Sequence, residues 1–186
     1  MFHRLFFVFS WLILFALAFS AAEPEALKRD LPRLKPTESA DALATFTVKS
    51  GFRIELSAAE PFVTDPVAMA FDENSRLFVV EMIGYSEHRD DRLGQVRLLE
   101  DENGDGRYDR STIYAGDLAW PTAIVCHDGG VFIGATPDIL FLKDTDGDQK
   151  ADERRVIFTG IGDGVNRLNM QSLMNSFRWG HDNRIH

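Results

Sequence analysis

One acidic loop occurs twice in the chain, and this repeat limits the fold to a repetitive architecture. The first copy begins at Asp101 with the sequence Asp-Glu-Asn-Gly-Asp-Gly-Arg-Tyr-Asp, and the second begins 43 positions later, at Asp144, with Asp-Thr-Asp-Gly-Asp-Gln-Lys-Ala-Asp. Apolar segments typical of β-strands precede both loops, at residues 96–99 and 139–142. Each loop is therefore predicted to join two strands.

Both loops carry oxygen-bearing side chains at positions 1, 3, 5 and 9. These are Asp101, Asn103, Asp105 and Asp109 in the first loop, and Asp144, Asp146, Asp148 and Asp152 in the second. Calcium takes about six to eight oxygen ligands, and alternate side chains of a tight loop supply them. The sequence therefore predicts a calcium site in these loops. The alternative interpretation is a solvated hairpin turn, because Asp, Asn and Gly also favour turns.

The loops differ from an EF-hand at two positions. Position 12 is Thr112 or Arg155 where an EF-hand has a bidentate Glu, and position 6 of the second loop is Gln149 where an EF-hand has Gly. Without the bidentate Glu we expect a dissociation constant of about 10⁻⁴ to 10⁻³ M. Such an affinity suits an environment in which calcium is plentiful.

A longer repeat of strand patterns surrounds the loops. A predicted hairpin at residues 66–72 and 77–80 recurs at 121–127 and 131–133, and in part at 175–185, with spacings of 55 and 54 residues. Four antiparallel strands in roughly 40 to 55 residues are typical of a β-propeller blade. We therefore predict an all-β fold, a partial β-propeller with about two four-stranded blades and the start of a third.

The predicted propeller domain covers residues 45–186, begins with a strand at 52–56 and follows two other segments. Residues 5–19 are apolar apart from one Ser, and small residues follow, so residues 1–22 are predicted to be a signal peptide. A retained membrane anchor is the alternative, although a spanning helix needs about 20 apolar residues. Residues 23–44 are predicted to be a Pro-containing linker with a short helix at 38–43. The protein is thus expected to be exported, to the periplasm or the extracellular space.

The end of the chain and its composition add three expectations. A propeller closes with about four to eight blades, and His186 falls inside a predicted strand, so we expect the chain to be a fragment of a propeller. The net charge of −9, without a basic cluster, argues against binding to nucleic acid. The single cysteine, Cys126, lies in an apolar strand pattern and is expected to be a buried, unreactive thiol.

Polar residues after the second predicted strand are the first candidates for binding a ligand. Loops of this kind line one mouth of a propeller, where Glu81 is expected to bind a substrate hydroxyl and Arg89 to pair with a carboxylate or quinone oxygen, and Tyr85 belongs to the same group. Asn166 and Arg167 form a second candidate group in a Gly-rich loop. The alternative for these residues is a solvated loop with surface ion pairs.

An ordered series of motifs resembles a known family. Residues 45–56, 59–61, 65–72 and 77–82, followed by Tyr85 and the two acidic loops, closely resemble the N-terminal propeller of the planctomycete-type membrane-bound dehydrogenase and haem-binding family. This resemblance covers residues 45–186. It implies a distant similarity to the soluble quinoprotein glucose and sorbosone dehydrogenases.

The resemblance implies an oxidoreductase that acts on the CH–OH groups of sugars or other alcohols. In a full-length form, pyrroloquinoline quinone or haem would accept the electrons. Residues 166–175 contain no His where these enzymes carry their base, so the catalytic residue is unknown and the chain alone is expected to be inactive. The alternative is a non-catalytic, calcium-stabilised propeller that binds carbohydrate or a protein partner.

Overall fold

The computed structural model describes residues 34–162 and 170–186. The predicted signal peptide, Asn166 and Arg167 lie outside these residues. The chain divides into two compact units, Met1–Asp41 and Ala42–His186. A short helix, α1 (Ser39–Ala42), and a 3-10 turn (Leu43–Thr45) confirm the helix predicted at 38–43. Within the described ranges, no helix is both long and apolar enough to cross a membrane.

Two four-stranded antiparallel sheets form the second unit. The first contains β1 (Pro66–Phe71), β2 (Leu77–Glu81), β3 (Gly94–Glu100) and β4 (Arg110–Leu118); the second contains β5 (Ala123–His127), β6 (Gly130–Ala135), β7 (Asp138–Lys143) and β8 (Glu153–Phe158). In both sheets each strand pairs with the next strand along the chain. The prediction of an all-β fold is confirmed at this level.

The acidic loops occupy the same place in the two sheets. The first loop joins β3 to β4 and the second joins β7 to β8, so each closes the last hairpin of its sheet. Each loop is held at its base by the same type of backbone bond: Asp109 N donates to Glu100 O at 3.1 Å, and Asp152 N donates to Lys143 O at 3.1 Å. The predicted equivalence of the two loops is thus correct.

The main hydrophobic core contains residues from both sheets. Alternate residues of the strands supply it, because successive side chains of a strand point to opposite faces. Its buried members are Phe78, Val80, Val96, Leu98, Tyr114, Leu118, Ile124, Val131, Ile133, Ala135, Leu140 and Leu142. The first strands of the two sheets, β1 and β5, also contact each other. Burying each large apolar side chain stabilises the fold by about 1.5 to 3 kcal/mol.

The opposite face of the first sheet carries a smaller core. Leu77, Val79 and Leu99 are buried there, and Phe62 and Val63 pack against them from the segment before β1. This packing fixes the chain that leads into the first sheet. On the same face of the sheet, Val67, Met69 and Phe71 of β1 are exposed.

The connection between the sheets is tight at Gly94, the first residue of β3. A Cβ atom at this position would overlap the Pro121 ring and lie 2.7 Å from Leu118 O. Leu118 ends β4 and Pro121 precedes β5, so glycine at this position allows the two sheets to follow each other closely.

Two predicted strands differ from the structure. Residues 52–56 have no neighbouring strand among the described residues and are therefore not part of a sheet. The third repeat contains a single antiparallel bridge, between Trp179 and Ile185, flanked by reciprocal backbone bonds of 3.0 and 2.9 Å between Arg178 and His186. In the described part of the chain, neither segment has the partners that would extend it into a ladder.

The environment of Cys126 agrees with an unreactive thiol. Its side chain packs, partly buried, against the main core. Burial raises the pKa of the thiol from 9.0 to about 12, so the nucleophilic thiolate is scarce near neutral pH.

Candidate metal centre

The first acidic loop folds around the carboxylate of Asp101. Its Oδ1 accepts hydrogen bonds from the backbone N–H groups of Gly104 and Asp105 at 2.7 and 3.2 Å, and its Oδ2 accepts one from Gly106 at 2.8 Å. The bond from Gly106 is the main cause that lowers the pKa of Asp101. Gly104 and Gly106 have φ angles of 76° and 89°, which a glycine adopts without strain. The sequence Asn-Gly-Asp-Gly therefore turns its amides towards one carboxylate.

The other three predicted ligands of the first loop belong to the same network. Asn103 Oδ1 accepts from Asp105 N at 2.9 Å, and Asn103 Nδ2 donates to Asp109 Oδ2 at 3.0 Å. Asp109 Oδ1 accepts from Glu102 N at 3.2 Å. Hydrogen bonds thus link the residues at positions 1, 3, 5 and 9, although among the described residues the carboxylates of Asp101, Asp105 and Asp109 do not form a convergent group.

The second loop repeats this arrangement with four carboxylates at the predicted ligand positions, where the first loop has three. Asp144 accepts backbone bonds from Gly147 and Gln149 at 2.7 and 2.9 Å, and Asp146 accepts one from Asp148 at 3.2 Å. One carboxylate oxygen from each of Asp144, Asp146 and Asp148 lies within 4.8 Å of the other two. Two ligands at about 2.4 Å from one calcium ion are at most about 4.8 Å apart, so these oxygens fit a single ion.

The fourth predicted ligand of the second loop has its own partners. Asp152 Oδ1 accepts from Thr145 N at 2.7 Å, and Asp152 Oδ2 accepts from Thr145 Oγ1 at 2.6 Å. The side-chain bond is the main cause that lowers the pKa of Asp152. Asp152 thus connects the end of the loop to Thr145 near its start, and it is not among the three convergent carboxylates.

Contacts with the first sheet distinguish the second loop from the first. Gln149 Nε2 donates to Glu100 Oε2 at 2.8 Å, and Thr112 Oγ1 donates to Gln149 Oε1 at 3.3 Å. Gln149 has a φ of 70°, and its counterpart in the first loop, Gly106, has open space around it. Gln149, which stands where the loop pattern has Gly at position 6, therefore provides a contact between the second loop and the first sheet.

Tyr114 on β4 provides the second contact. Its hydroxyl accepts a hydrogen bond from Asp144 N at 3.0 Å, and its carbonyl accepts one from Ala151 N at 2.7 Å. Burial raises the pKa of Tyr114 to about 12. Sequence reasoning did not identify Tyr114 or Gln149, because their partners are distant in the chain.

Glu81, a predicted ligand-binding residue, is fully buried at the end of β2. Its carboxylate accepts from Thr64 N at 2.6 Å, Gln95 Nε2 at 2.5 Å and Arg97 Nε at 3.2 Å. These donors balance the cost of burying the charge. They also occupy the carboxylate, so that Glu81 links the segment before β1 to β3.

Tyr85 and Arg89 line two different cavities. Tyr85 lies with its ring 5.2 Å from Trp120 and lines a cavity of about 700 Å³ bounded by β1, β5 and residues 170–177. Arg89 donates to Thr136 O at 2.5 Å and lines a cavity of about 550 Å³ together with Arg92 and Arg154. The structure does not gather Glu81, Tyr85 and Arg89 in one site, and their roles in binding stay predictions.

Comparison with known proteins gives one family. A family model described as a domain of unknown function (DUF7133) matches residues 38–186, which include α1, both sheets and both acidic loops. No curated protein and no solved structure matches the chain.

Proposed function

Since the chain belongs to the DUF7133 family, whose members are described as domains of unknown function, we infer its function from its own loops and sheets. We propose that it is part of an exported β-propeller whose acidic loops bind calcium. The observation that carries this proposal is the convergence of Asp144, Asp146 and Asp148 within 4.8 Å. The calcium is structural, because it holds the hairpins at the outer end of each sheet.

The electrostatics of the second loop support a divalent cation. Asp144, Asp146, Asp148 and Asp152 lie within nine residues, with Lys150 as the only basic residue among them. Like charges at such short range repel one another, and a hard cation relieves this repulsion. The backbone amides already order the carboxylates, so little further ordering is needed when the ion binds.

The sheet arrangement supports the propeller. Both sheets have the same strand order, they share one core, and their first strands contact each other as the inner strands of adjacent blades do. The hairpin at residues 177–186 has the position in sequence of a third inner hairpin. Both acidic loops lie on the last hairpin of their sheets, so the proposed calcium ions would lie at the outer rim of such a ring.

A calcium titration tests the proposal. With a dissociation constant of 10⁻⁴ to 10⁻³ M, about 10 mM calcium stabilises the folded chain by roughly 1.4 to 2.7 kcal/mol per site. The melting temperature should rise by roughly 3 to 8 °C. Asp148→Ala should remove most of the gain from the second loop, and Asp105→Ala most of the gain from the first.

Two controls make the titration specific. Asp90→Ala removes an exposed carboxylate that lies outside both loops, and it should leave the calcium response unchanged. Magnesium at the same concentration should stabilise the chain less, because it is smaller and requires near-octahedral geometry. The alternative interpretation, in which the loops are solvated turns, would be favoured by an equal response to both cations. It would also be favoured by a response that persists in the double variant Asp105→Ala/Asp148→Ala.

The cavity beside Tyr85 favours a second candidate function, the binding of a small sugar or alcohol. Its volume of about 700 Å³ lies in the range of small-molecule sites, and Thr122 and Asn175 add polar groups to its lining. The resemblance to dehydrogenases supports such a ligand, with a quinone acceptor in a longer form. The chain has one cysteine and so no Cys-x-x-Cys-His motif for covalent haem attachment, and the proposal assigns haem only to a longer form.

Trp120 offers a direct test of ligand binding at this cavity. Its indole contacts the ring of Tyr85, so a bound sugar should change its fluorescence, and Tyr85→Ala should abolish the change. The chain by itself is expected to show no alcohol oxidation with added quinone, because it has no assigned base. Reproducible turnover would contradict the assignment of the chain to a calcium-stabilised module.

A further inference from the structure

Asn103 in the first acidic loop is the one asparagine of the chain that glycine follows. An asparagine loses its side-chain amide fastest before glycine, because a residue without a Cβ atom lets its backbone nitrogen approach the amide carbon. Both residues are exposed, and a Cβ atom placed on Gly104 would meet no atom within 4 Å. Nothing in the described fold therefore obstructs a ring between Asn103 and Gly104.

The reaction is intramolecular and needs no partner except water. Gly104 N forms a bond to Asn103 Cγ and gives up its proton, the bond from Cγ to the side-chain nitrogen breaks, and ammonia leaves with that proton. Water then opens the cyclic imide. Attack at the side-chain carbonyl leaves the backbone longer by one carbon, as isoaspartate, and attack at the backbone carbonyl gives the same or the normal aspartate according to which C–N bond breaks. Either product carries one additional negative charge.

The hydrogen bonds of the loop restrain both reacting groups. Gly104 N–H donates to Asp101 Oδ1 at 2.7 Å, and the leaving nitrogen of Asn103 donates to Asp109 Oδ2 at 3.0 Å. Asn103 Oδ1 accepts from Asp105 N at 2.9 Å. The ring can therefore form only when the loop opens locally, and the rate of amide loss depends on how firmly Asp101 holds the loop.

We propose that Asn103 is a site of spontaneous deamidation, and that the reaction gives the first loop the carboxylate pattern of the second. The second loop carries Asp146 at the same position, so the aspartate product has an acid at each of the four predicted ligand positions. At these positions, the native first loop thus differs from the second by an amide that the chain can lose without an enzyme.

The aspartate product should be less stable than the native loop when no cation is bound. The Asn103 amide donates to Asp109, and a carboxylate in its place repels that residue. In the second loop Thr145 Oγ1 donates to the equivalent acid, Asp152, at 2.6 Å, whereas the first loop has Glu102 at that position. The additional carboxylate should also increase the calcium affinity of the first loop, and this step alone rests on the proposed function.

Peptide mapping by mass spectrometry tests the site itself. The calcium-free chain, kept at neutral pH, should lose the amide of Asn103 before those of Asn74 and Asn175, which serine follows. The loss should be slower than in the same chain unfolded in guanidinium chloride, because the loop must open first. Separate aspartate and isoaspartate peptides would identify the cyclic imide as the intermediate.

The carboxylate of Asp101 is the restraint that a variant can remove. D101A frees the Gly104 N–H and should speed the loss of the Asn103 amide by about tenfold or more, towards the rate of the unfolded chain. As the matched control, D90A removes an exposed carboxylate outside both loops and should keep the native rate.

The variant N103D carries the aspartate product from the start. Without calcium it should melt at a lower temperature than the native chain, because of the repulsion from Asp109, and calcium should raise its melting temperature more than that of the native chain. N183D adds the same charge at another exposed asparagine, and it should leave both properties unchanged.

Three results would overturn the inference. The first is a folded chain that keeps the Asn103 amide while the unfolded chain loses it, and the second is earlier loss at Asn74 or Asn175. The third is an equal rate in the native chain, D101A and D90A. A native calcium response in N103D would instead contradict the proposed calcium in the first loop, because the loss of the amide is measured without calcium.

Discussion

The two acidic loops have one sequence pattern and one position in their sheets, but different neighbours. The second loop contacts the first sheet through Gln149 and through Tyr114, which reaches Asp144 and Ala151. The first loop has open space around Gly106, the counterpart of Gln149, and its Tyr108 donates to Ser57 O and packs against the smaller core of its own sheet. A repeated motif can therefore act as a surface turn in one copy and as a contact between sheets in the other.

The difference follows from the position of each loop along the chain. The second loop follows a complete sheet, so its polar groups form hydrogen bonds with β3 and β4 of that sheet. Before the first sheet, the described residues form no sheet, and residues 57–63 supply the first loop with fewer partners. The calcium that we propose for the second loop would therefore stabilise the contact between the sheets, and in the first loop it would stabilise only its own hairpin.

The largest test of this comparison is the removal of the Tyr114 hydroxyl. Tyr114→Phe leaves the Asp144 N–H without its acceptor beside the core, and should lower the free energy of unfolding by about 1 to 2 kcal/mol. The matched change in the first loop, Tyr108→Phe, should cost less than about 0.5 kcal/mol, because it removes a hydroxyl at a partly exposed site. Urea denaturation measures both values.

Equal losses for Tyr114→Phe and Tyr108→Phe would show that the second loop is not coupled to the first sheet. A lower calcium affinity in Tyr114→Phe would strengthen the comparison, because Asp144 is both the partner of the hydroxyl and a candidate ligand.

A smaller effect is expected at position 6 of the loops. Gln149→Ala removes the bonds to Glu100 and Thr112 but keeps a left-handed backbone, and should destabilise the chain by about 1 kcal/mol. Gln149→Gly loses the same bonds and relieves the backbone, so its loss should be smaller. Thermal melts of the two variants, compared with Gly106→Ala in the first loop, separate the side-chain contact from the backbone strain.

The outcome that would contradict this view is a Gln149→Gly variant more stable than the native chain. In that case the left-handed backbone would outweigh the contact with Glu100, and Gln149 would not serve as a link between the sheets.

The sequence predicted those features that depend on neighbouring residues. The short apolar runs at β2 and β3 and the Asp, Asn and Gly residues of the loops set their local structure, and the repeat placed the loops correctly. The paired strands, the short helix and the equivalence of the two hairpins were therefore accessible. The spacing also selected the carboxylates that converge in the second loop.

Features that depend on distant residues were not accessible. Glu81 resembled a surface ligand in the sequence, but Thr64, Gln95 and Arg97 surround it in the fold. Gln149 resembled a defect in the loop pattern, and its partner Glu100 is 49 positions away. Residues 52–56 had the pattern of a strand, but a pattern does not supply a neighbouring strand.

The smallest expected effect is the acid sensitivity of the loops. Hydrogen bonds lower the pKa of Asp101 in the first loop and of Asp152 in the second below the ordinary value of 3.8. A carboxylate with a lowered pKa in the folded chain contributes stability that is fully present above pH 3.8 and is lost as the pH falls through the folded pKa. Calcium-free thermal melts between about pH 5 and pH 2.5 should therefore show a falling melting temperature, and D101N or D152N should flatten the fall. If the comparison between the loops is correct, D152N should also weaken the bonds of the second loop to the first sheet, so its melting temperature at pH 5 should lie below that of D101N. The reverse order would show that the first loop, despite its open surroundings, contributes more to the fold.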